Sequence, residues 1–433
     1  MATQVNPPRG MRDFLPADKA RREHALGVIR GVYRAHGFDE IETPVVEDWA
    51  RLHAGLGGDN EKLSFSILKR GITSEALAAA ASTGTPDDLA DLGLRFDLTV
   101  PLTRFYASHR AELPPVFRAI QIAPVWRAER PQKGRYRQFV QADIDIIGEP
   151  GMLAEVELIT ATAQALSALG LEGCVIRVND RRILFGLLDH CGFAASLHDR
   201  ALITIDKLDK IGTSGVIAEL TELDATGALA LGAVLSRVEP LLAGDGIALT
   251  RESISSALPA GAAQAGVDNL AAIGDALVGA LPGGVEIRFD PTLVRGMGYY
   301  TGTIFEVAHP GSGSSVGGGG RYDGMVGRFL GQDVPAVGFS IGFERVVDLI
   351  ELPEHEGPES VALVFDADAN PADLSALKRQ LINEGHRVRL ERRQKNMKAL
   401  LDRLSGEGFT RFASVRAGER ERDSLELREL GRG

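Results

Sequence analysis

The feature that most constrains this chain is a pair of strand-like runs, at positions 116–127 and 135–147, joined by a basic loop. Such a loop joins antiparallel neighbours, so the two runs predict a hairpin within a sheet. Side chains alternate between the faces of a strand, which places Gln141, Asp143 and Asp145 together on one face of the second run. These side chains either form the wet face of a half-exposed strand or hold a cation such as an ammonium or imidazolium group.

The rest of the chain divides into segments of different pattern. At 433 residues, two or three domains are expected. Residues 171–282 are rich in Ala, Leu and Gly, with amphipathic helical stretches and few strand signals. Strand patterns resume after residue 282, around a Gly-rich stretch at 311–320 that predicts a loop. Beyond a linker at 352–359, strand and helix patterns alternate. The pattern therefore predicts a core interrupted by a mostly helical insertion, followed by a small α/β domain.

The composition excludes several classes of protein. With 44% hydrophobic and 25% charged residues, the chain is expected to be soluble and globular. Its first residues lack the apolar segment of a secretory signal, and no run of 18 apolar residues occurs, so a cytoplasmic protein without membrane contact is expected. Cys174 and Cys191 are not spaced as metal ligands, and two free thiols suit a reducing compartment.

The net charge of −11 is unevenly distributed along the chain. Residues 357–433 hold 15 basic and 13 acidic side chains, whereas the first 356 residues hold 33 and 46. The C-terminal segment is thus the basic end of an acidic molecule. Either it makes a local contact with phosphates or it presents an ordinary solvated surface.

Two arginines stand in settings that suit anionic ligands. Arg127 ends the first hairpin strand close to Glu129, where its guanidinium group either holds a phosphate or forms part of a charged hairpin tip. Arg295 opens a Gly-rich stretch that includes Tyr299 and Tyr300. Glycines permit a close approach of the backbone to a ligand, and tyrosine offers a ring and a hydroxyl group to a planar polar molecule. An ordinary Gly-rich turn has the same pattern.

A third arginine, Arg345, follows a strand and a Gly turn at the start of a predicted helix, where the helix N-terminus favours anions. The sequence contains no P-loop, no nucleophile elbow and no H-E-x-x-H motif, and no set of metal ligands stands out. What remains is a set of arginines, carboxylates and glycines. Such a set suits phosphate chemistry that depends on positioning and charge.

Taken in chain order, these segments resemble the histidyl-tRNA synthetases. The matching stretches are an N-terminal opening (9–16), class II motif 1 (40–44), motif 2 (117–148), two histidine-specific boxes (293–302 and 319–324) and motif 3 (335–345). The resemblance implies an α+β fold, with an antiparallel sheet flanked by helices, a helical insertion and a C-terminal α/β anticodon-binding domain. The implied division is a catalytic core over 1–170 and 283–352, the insertion over 171–282, and a shortened anticodon-binding domain over 353–433.

The resemblance also implies a reaction and a set of residues for it. Histidine would be activated with ATP to histidyl-adenylate and pyrophosphate, and then transferred to the 3′ end of its tRNA. Mg²⁺ would accompany ATP, and motif 1 would form a homodimer. The implied catalytic residues are Arg127 and Arg295. The implied histidine-binding residues are Asp97, Leu98, Thr99, Gln141, Asp145, Tyr299, Tyr300 and Tyr322, and the implied ATP-binding residues are Arg127, Glu129 and Arg345.

Two alternatives stay open at this point. One is the non-catalytic regulatory subunit of ATP phosphoribosyltransferase, a relative that usually lacks the anticodon domain and loses catalytic arginines. The other is a tRNA-binding or sensor module that no longer makes the adenylate. The sequence also departs from the family at Gly298, where many members carry Asp, which bears on the local geometry of the first histidine box.

Overall fold

The computed structural model describes residues 5–53, 63–84, 86–132, 134–295, 298–351 and 359–431. The chain divides into two compact units, residues 1–351 and 352–433. The strands of the first unit are β1 (Asp39–Glu40), β2 (Val46–Asp48), β3 (Phe65–Leu68), β4 (Ala90–Leu94), β5 (Phe117–Trp126), β6 (Gln138–Ile147), β7 (Cys174–Asp180), β8 (Ile247–Ala248), β9 (Val285–Phe289), β10 (Thr303–Ala308), β11 (Gly317–Arg321) and β12 (Ala336–Ile341).

The helices of the first unit are α1 (Pro16–Ala35), α2 (Trp49–His53), α3 (Ser74–Thr83), α4 (Thr99–His109), α5 (Leu153–Ala168), α6 (Arg181–His190), α7 (His198–Ile205), α8 (Leu208–Thr221), α9 (Ala225–Ala243), α10 (Arg251–Ala257), α11 (Gln264–Leu277), α12 (Asp323–Leu330) and α13 (Phe343–Leu349). Helix α1 illustrates how local sequence sets these bounds. Pro16 stands in its first turn, where the missing N–H is not needed. Ala25, Ile29 and Tyr33 form its buried stripe, and Gly37 ends it at φ +81°.

Nine strands form the main sheet in the order β1-β5-β6-β12-β11-β10-β7-β9-β8. Strands β5 and β6 are the predicted antiparallel hairpin, paired from Phe117↔Ile147 to Trp126↔Gln138. Within this sheet, only the pairs β1–β5 and β7–β9 are parallel among the described strands. The predicted α+β class with a mainly antiparallel sheet is therefore confirmed. A smaller antiparallel sheet has the order β2-β4-β3.

Helices α1 and α5 pack against the apolar face of the β6 hairpin strand. Ile29 and Leu158 are fully buried with Ile144 and Phe339 in one hydrophobic core. Each fully buried aliphatic side chain of this kind contributes about 2 kcal/mol relative to exposure. Because alternate residues of β6 are buried in this core, Gln141, Asp143 and Asp145 lie on the opposite face of the strand.

Two segments of the chain contribute strands to the main sheet that the sequence-based prediction did not include. The stretch 311–320 was predicted as a loop, but Gly317–Arg321 forms β11, paired with both β10 and β12. Strands β7 and β8 lie within 171–282, the segment predicted to be mostly helical. Strand β7 pairs with β10 and β9, and β8 pairs with β9. In both cases non-local pairing determines the strand, and a local pattern does not contain that information.

Among the described residues, α9 is long and apolar enough to cross a membrane when only length and composition are considered, with 33% of its apolar window buried. Core helices of proteins without membrane contact meet the same two criteria. Here Leu231 and Leu235 of α9 are buried in the same core as Leu184 and Leu187 of α6.

The second unit is a small α/β fold. Its elements are β13 (Ser360–Phe365), α14 (Pro371–Asn383), β14 (Arg387–Arg392), α15 (Met397–Gly406), β15 (Arg411–Val415) and β16 (Arg428–Glu429). The sheet order is β14-β13-β15-β16, with β13 parallel to both β14 and β15. Leu377 of α14 and Leu400 of α15 are buried in two separate clusters of the unit. The predicted alternation of strand and helix is therefore present.

Candidate active site

A cavity of about 580 Å³ lies against β6, β10, β11 and β12 of the first unit. Eleven of the predicted site residues line it: Asp97, Thr99, Arg127, Glu129, Gln141, Asp145, Arg295, Tyr299, Tyr300, Tyr322 and Arg345. They come from segments more than 240 positions apart in the chain. Leu98 is the exception, since its side chain is 1% exposed and does not line the cavity. Its carbonyl oxygen accepts a hydrogen bond from Gln121 Nε2 at 3.0 Å.

One part of the cavity is acidic. Asp97, Asp143 and Asp145 are each at most 5% exposed. Burial raises the pKa of Asp97 to about 6, although Arg127 acts in the opposite direction. Burial also raises the pKa of Asp145 to about 7. The pKa of Asp143 is raised well above its usual value by burial and by the neighbouring Asp145.

The cavity contains polar atoms whose hydrogen-bonding capacity is unmet. Asp97 Oδ2, Gln141 Oε1 and Asp143 Oδ1 are buried acceptors without a partner among the described residues, and Arg295 Nε is a buried donor in the same condition. Buried polar groups are nearly always paired in native proteins. Four unpaired atoms in a single cavity therefore indicate a ligand that both donates and accepts hydrogen bonds.

Tyrosine side chains enclose the carboxylate of Asp145. The hydroxyl group of Tyr322 donates a hydrogen bond to Asp145 Oδ1 at 2.6 Å. The ring of Tyr299 meets the ring of Tyr322 edge-on, with centroids 6.2 Å apart, and lies 4.8 Å from the ring centroid of Tyr300. All three rings are buried. They form an aromatic wall suited to a planar polar group.

Two glycines let these side chains lie directly on the sheet. A Cβ atom on Gly338 of β12 would stand 2.1 Å from Asp145 Oδ1. A Cβ atom on Gly318 of β11 would stand 2.8 Å from Arg295 Cζ. Both distances are shorter than any real carbon contact, so a side chain at either position would occupy the space of a site residue. The glycine run thus forms part of the cavity floor.

The basic part of the cavity contains Arg127, Arg295 and Arg345. Arg127 Nε donates to the carbonyl oxygen of Phe96 at 3.0 Å, and its guanidinium group lies 5.1 Å from the ring centroid of Phe139. Arg345 Nη1 donates to the carbonyl oxygen of Ser315. Burial lowers the pKa of the Arg345 guanidinium group.

Arg295 is held by charged residues that the sequence-based prediction did not include. Its Nη1 donates to Glu306 Oε2 at 2.8 Å. Arg177 reaches the other oxygen of Glu306 at 3.2 Å and Asp290 at 2.6 Å. Asp206 also lines the cavity. Arg177 and Glu306 each interrupt an apolar strand, so a charge within the apolar patterns of β7 and β10 was the available signal.

Glu344, next to Arg345, ties three elements together near the cavity. Its carboxylate accepts hydrogen bonds from Arg22 at 2.6 and 2.8 Å, from Arg12, and from the backbone N–H of Val140 at 3.0 Å. These contacts fix α13 against α1 and β6, which holds Arg345 in place. At the hairpin tip, Glu129 pairs with Arg135 at 3.1 Å.

The described residues contain no group of three or more His, Cys, Asp or Glu side chains arranged to hold a metal ion. The carboxylates of Glu129 and Glu306, which line the cavity, are paired with arginines. A cation that entered with a nucleotide would therefore be held mainly by the phosphates, as Mg²⁺ often is.

Comparison with known proteins identifies close relatives. A family model described as histidyl-tRNA synthetase matches residues 10–346. The chain is 68% identical to a histidine–tRNA ligase from Leifsonia xyli subsp. xyli over 417 residues, which covers 96% of each chain. It is 44% identical to a probable histidine–tRNA ligase from Tropheryma whipplei over 415 residues, covering 94% of this chain and 95% of the relative.

Solved structures have the same fold. A crystal structure of histidyl-tRNA synthetase from Nostoc sp. PCC 7120 aligns with a TM-score of 0.75 at 25% identity, covering 99% of this chain and 95% of that one. A structure from Bacillus halodurans, described as an ATP phosphoribosyltransferase regulatory subunit/histidyl-tRNA synthetase, aligns with a TM-score of 0.73 at 21% identity, covering 96% and 99%. The second likeness concerns the fold alone.

Proposed function

The chain belongs to the histidyl-tRNA synthetase family, and from that membership we propose how its cavity performs the family's reaction. The activity is ATP-dependent ligation of histidine to tRNA. Histidine is first activated to histidyl-adenylate with release of pyrophosphate, and the histidyl group is then transferred to the 3′ end of the tRNA. We place the first step between the acidic and the basic parts of the cavity.

The observation that carries this placement is the set of unpaired buried polar atoms. Asp97 Oδ2 and Gln141 Oε1 need hydrogen-bond donors, and the α-ammonium group of histidine supplies three of them. Thr99 lines the same region. A buried acceptor is costly when unpaired, so an amino acid with a free ammonium group is favoured over a ligand that lacks one.

The tyrosine-lined carboxylate is suited to the imidazole ring. Tyr322 occupies Oδ1 of Asp145, which leaves Oδ2 to accept a hydrogen bond from a ring N–H. We assign Tyr299 and Tyr300 to the faces and edge of the same ring. A site that must hydrogen-bond its substrate rejects analogues without the matching groups by ~10⁴-fold or more.

The arginines are suited to the nucleotide. We propose that Arg127 and Arg295 hold the α-phosphate, that Arg345 binds the nucleotide and that Glu129 lies beside the adenine. The histidine carboxylate attacks the α-phosphorus, and negative charge accumulates on the phosphoryl oxygens. Fixed guanidinium groups stabilise that charge without reorganising. Mg²⁺ enters with ATP as part of the substrate, held mainly by its phosphates.

Transfer to tRNA completes the reaction. A terminal ribose hydroxyl group attacks the carbonyl carbon of the adenylate, and AMP leaves. We propose that the basic loop after Arg127 approaches the acceptor end and that the second unit, whose residues 357–433 hold 15 basic and 13 acidic side chains, binds the anticodon stem. We place the protein in the cytoplasm, where its tRNA substrate is used.

We also propose that the active form is a homodimer. Val45, Leu68 and Leu92 are 40%, 61% and 39% exposed, and all three lie in or beside the small sheet that follows motif 1. A group of exposed large apolar side chains on one small sheet favours a protein–protein interface.

A non-catalytic regulatory subunit is the alternative for this fold. The family model and the curated relatives favour the ligase. The presence of Arg127, Arg295 and Arg345 in one cavity supports the same choice, because a subunit that only senses a ligand has no need to stabilise phosphoryl charge.

The test is histidine-dependent exchange of pyrophosphate into ATP. The full chain is expected to catalyse exchange with histidine and with no other standard amino acid. Arg295→Ala is expected to lower the exchange rate by about 100-fold or more, since it removes a group that stabilises transition-state charge. Arg251→Ala is the matched control, because Arg251 is an exposed arginine of α10 that does not line the cavity.

Exchange by Arg295→Ala at the rate of the control would remove Arg295 from the catalytic set. A folded wild-type chain that exchanges with no amino acid would favour the regulatory-subunit alternative. Circular dichroism of both variants establishes that they are folded before rates are compared.

A further inference from the structure

Asp143 is a buried carboxylate that the proposed reaction does not use. It lies on β6 between Gln141 and Asp145, is 5% exposed and lines the cavity. Its register partners are polar, Gln121 on β5 and Ser340 on β12. A carboxylate at this position is not needed for packing, because its neighbours on the same face of the strand are hydrophilic.

The hydrogen bonds around Asp143 are incomplete. Gln141 Nε2 lies 3.5 Å from Asp143 Oδ2, at the limit of a hydrogen bond, while Asp143 Oδ1 has no partner among the described residues. With Asp97 Oδ2 and Gln141 Oε1, this atom makes three unpaired acceptors in one cavity. An ammonium group carries three N–H donors. The number and the type of the unpaired atoms therefore match one ammonium group.

The charges around Asp143 also favour a ligand with an ammonium group. The titratable groups that act on it are Asp145 on its own strand, Asp97 before α4, Arg127 at the end of β5, Tyr300 before β10 and Tyr33 on α1. Among the described residues, no Lys, Arg or His lies within 4 Å of Asp97, Asp143 or Asp145 in an ion pair. Burial without a close cation raises the pKa of all three carboxyl groups, that of Asp97 to about 6 and that of Asp145 to about 7, so Asp143 and Asp145 are the groups that retain protons at neutral pH.

We infer that Asp143 is a further histidine-binding residue, that its carboxylate accepts a hydrogen bond from the α-ammonium group, and that the site releases a proton to solvent when histidine binds. The inference rests on the proposed function. The arriving ammonium group supplies the positive charge that the carboxylates lack. The ionised form is then favoured, and the displaced proton passes to the buffer. Raising the pH removes these protons before binding, so histidine affinity is expected to increase between pH 6 and pH 8.

Titration calorimetry of the full chain tests the inference. L-Histidine is titrated at pH 7 in phosphate and in Tris, whose ionisation enthalpies differ, so that the number of released protons can be measured. Wild type is expected to release protons in both buffers. Asp143→Asn is expected to bind histidine ~10- to 100-fold more weakly, as for the loss of a hydrogen bond to a charged group, and to release fewer protons.

A second ligand isolates the ammonium contact. Imidazole-4-propionate has the ring and the carboxylate of histidine but no amino group. It is expected to bind wild type and Asp143→Asn equally, and to release fewer protons than histidine from wild type. The wild-type comparison does not depend on whether the variant folds. Asp268→Asn is the matched control, since Asp268 is an exposed aspartate of α11 outside the cavity.

The outcomes separate this inference from the proposed function. Histidine binding and exchange by wild type, with unchanged affinity and unchanged proton release in Asp143→Asn, would overturn the role of Asp143 alone. Equal proton release with histidine and with imidazole-4-propionate in wild type would also overturn it. Absence of histidine binding by folded wild type would overturn the inference and the proposed function together.

Discussion

At the scale of single residues, burial and the hydrogen bond from Tyr322 act in opposite directions on the pKa of Asp145. Burial raises the pKa of Asp145 to about 7, and the hydrogen bond from Tyr322 lowers it. Without that hydrogen bond, Asp145 would carry a proton over more of the neutral range. A protonated carboxyl group presents one acceptor oxygen fewer to an imidazole N–H.

Tyr322→Phe removes the hydroxyl group and keeps the ring. The pKa of Asp145 is expected to rise above about 7, so the variant needs a higher pH to form the carboxylate. The KM for histidine in pyrophosphate exchange is expected to increase ~10-fold at pH 7, as for the loss of one hydrogen bond to a charged group, and to approach the wild-type value near pH 9. The measurement is KM against pH for both proteins.

Tyr106→Phe provides the control for this prediction, because Tyr106 is buried on α4 and does not line the cavity. A Tyr322→Phe variant whose KM is raised equally at every pH would show that the hydroxyl group contributes contact and does not tune Asp145.

The sequence predicts most of the residues that line the cavity, because the alternation of side chains along a strand determines which face of the sheet each one lies on. Alternation along β6 placed Gln141 and Asp145 on the cavity face, where the structure has them. The same alternation identified Asp143, although the family resemblance assigned it no role. Leu98 was predicted from its position between Asp97 and Thr99, but neighbouring residues at a helix start point in different directions, and its side chain is buried elsewhere. A family resemblance identifies a stretch of the sequence, and the structure shows which side chains of that stretch face the cavity.

At the scale of elements, β11 explains why a glycine run can be part of a sheet. Glycine has low β propensity, so the sequence pattern predicted a loop. In the fold, β10 and β12 pair with β11 on both sides, and these hydrogen bonds do not depend on side chains. A Cβ atom on Gly319 would stand 1.9 Å from the carbonyl oxygen of Gly338. The absence of side chains is therefore what allows the strand to lie beneath the cavity.

Gly338→Ala tests this account on β12. The added methyl group would stand 2.1 Å from Asp145 Oδ1 and 3.1 Å from Tyr322 Cε1, so both side chains must move. The KM for histidine is expected to rise ~10-fold or more, because a misplaced acceptor loses its hydrogen bond to a charged or polar ligand group. The KM for ATP is expected to stay close to the wild-type value, since the contacts of Arg127 and Arg345 are not displaced.

Gly27→Ala is the matched control, because a Cβ atom on Gly27 in α1 meets no atom within 4 Å. It is expected to stabilise α1 by about 0.5–1 kcal/mol and to leave both KM values unchanged. Equal increases of both KM values in Gly338→Ala would instead indicate a general distortion of the sheet.

At the scale of the whole molecule, each unit has its own hydrophobic core. The cores of the first unit are built from residues up to Ile350, and those of the second from residues starting at Val361. The residues of the cavity all belong to the first unit. We therefore expect adenylation to need the first unit alone, and charging of tRNA to need contacts from both units.

A chain that ends after Glu351 is expected to keep histidine-dependent pyrophosphate exchange and to lose most of its capacity to charge tRNA. When one ligand contacts two binding units, loss of one unit lowers the apparent affinity by ~10²-fold or more, because the second contact no longer benefits from a high effective concentration. The measurement is the KM for tRNA in aminoacylation, compared with the exchange rate in the same preparation. Charging at the full-length KM would exclude the second unit from tRNA binding, and loss of exchange in a folded chain would contradict the separation of the two steps.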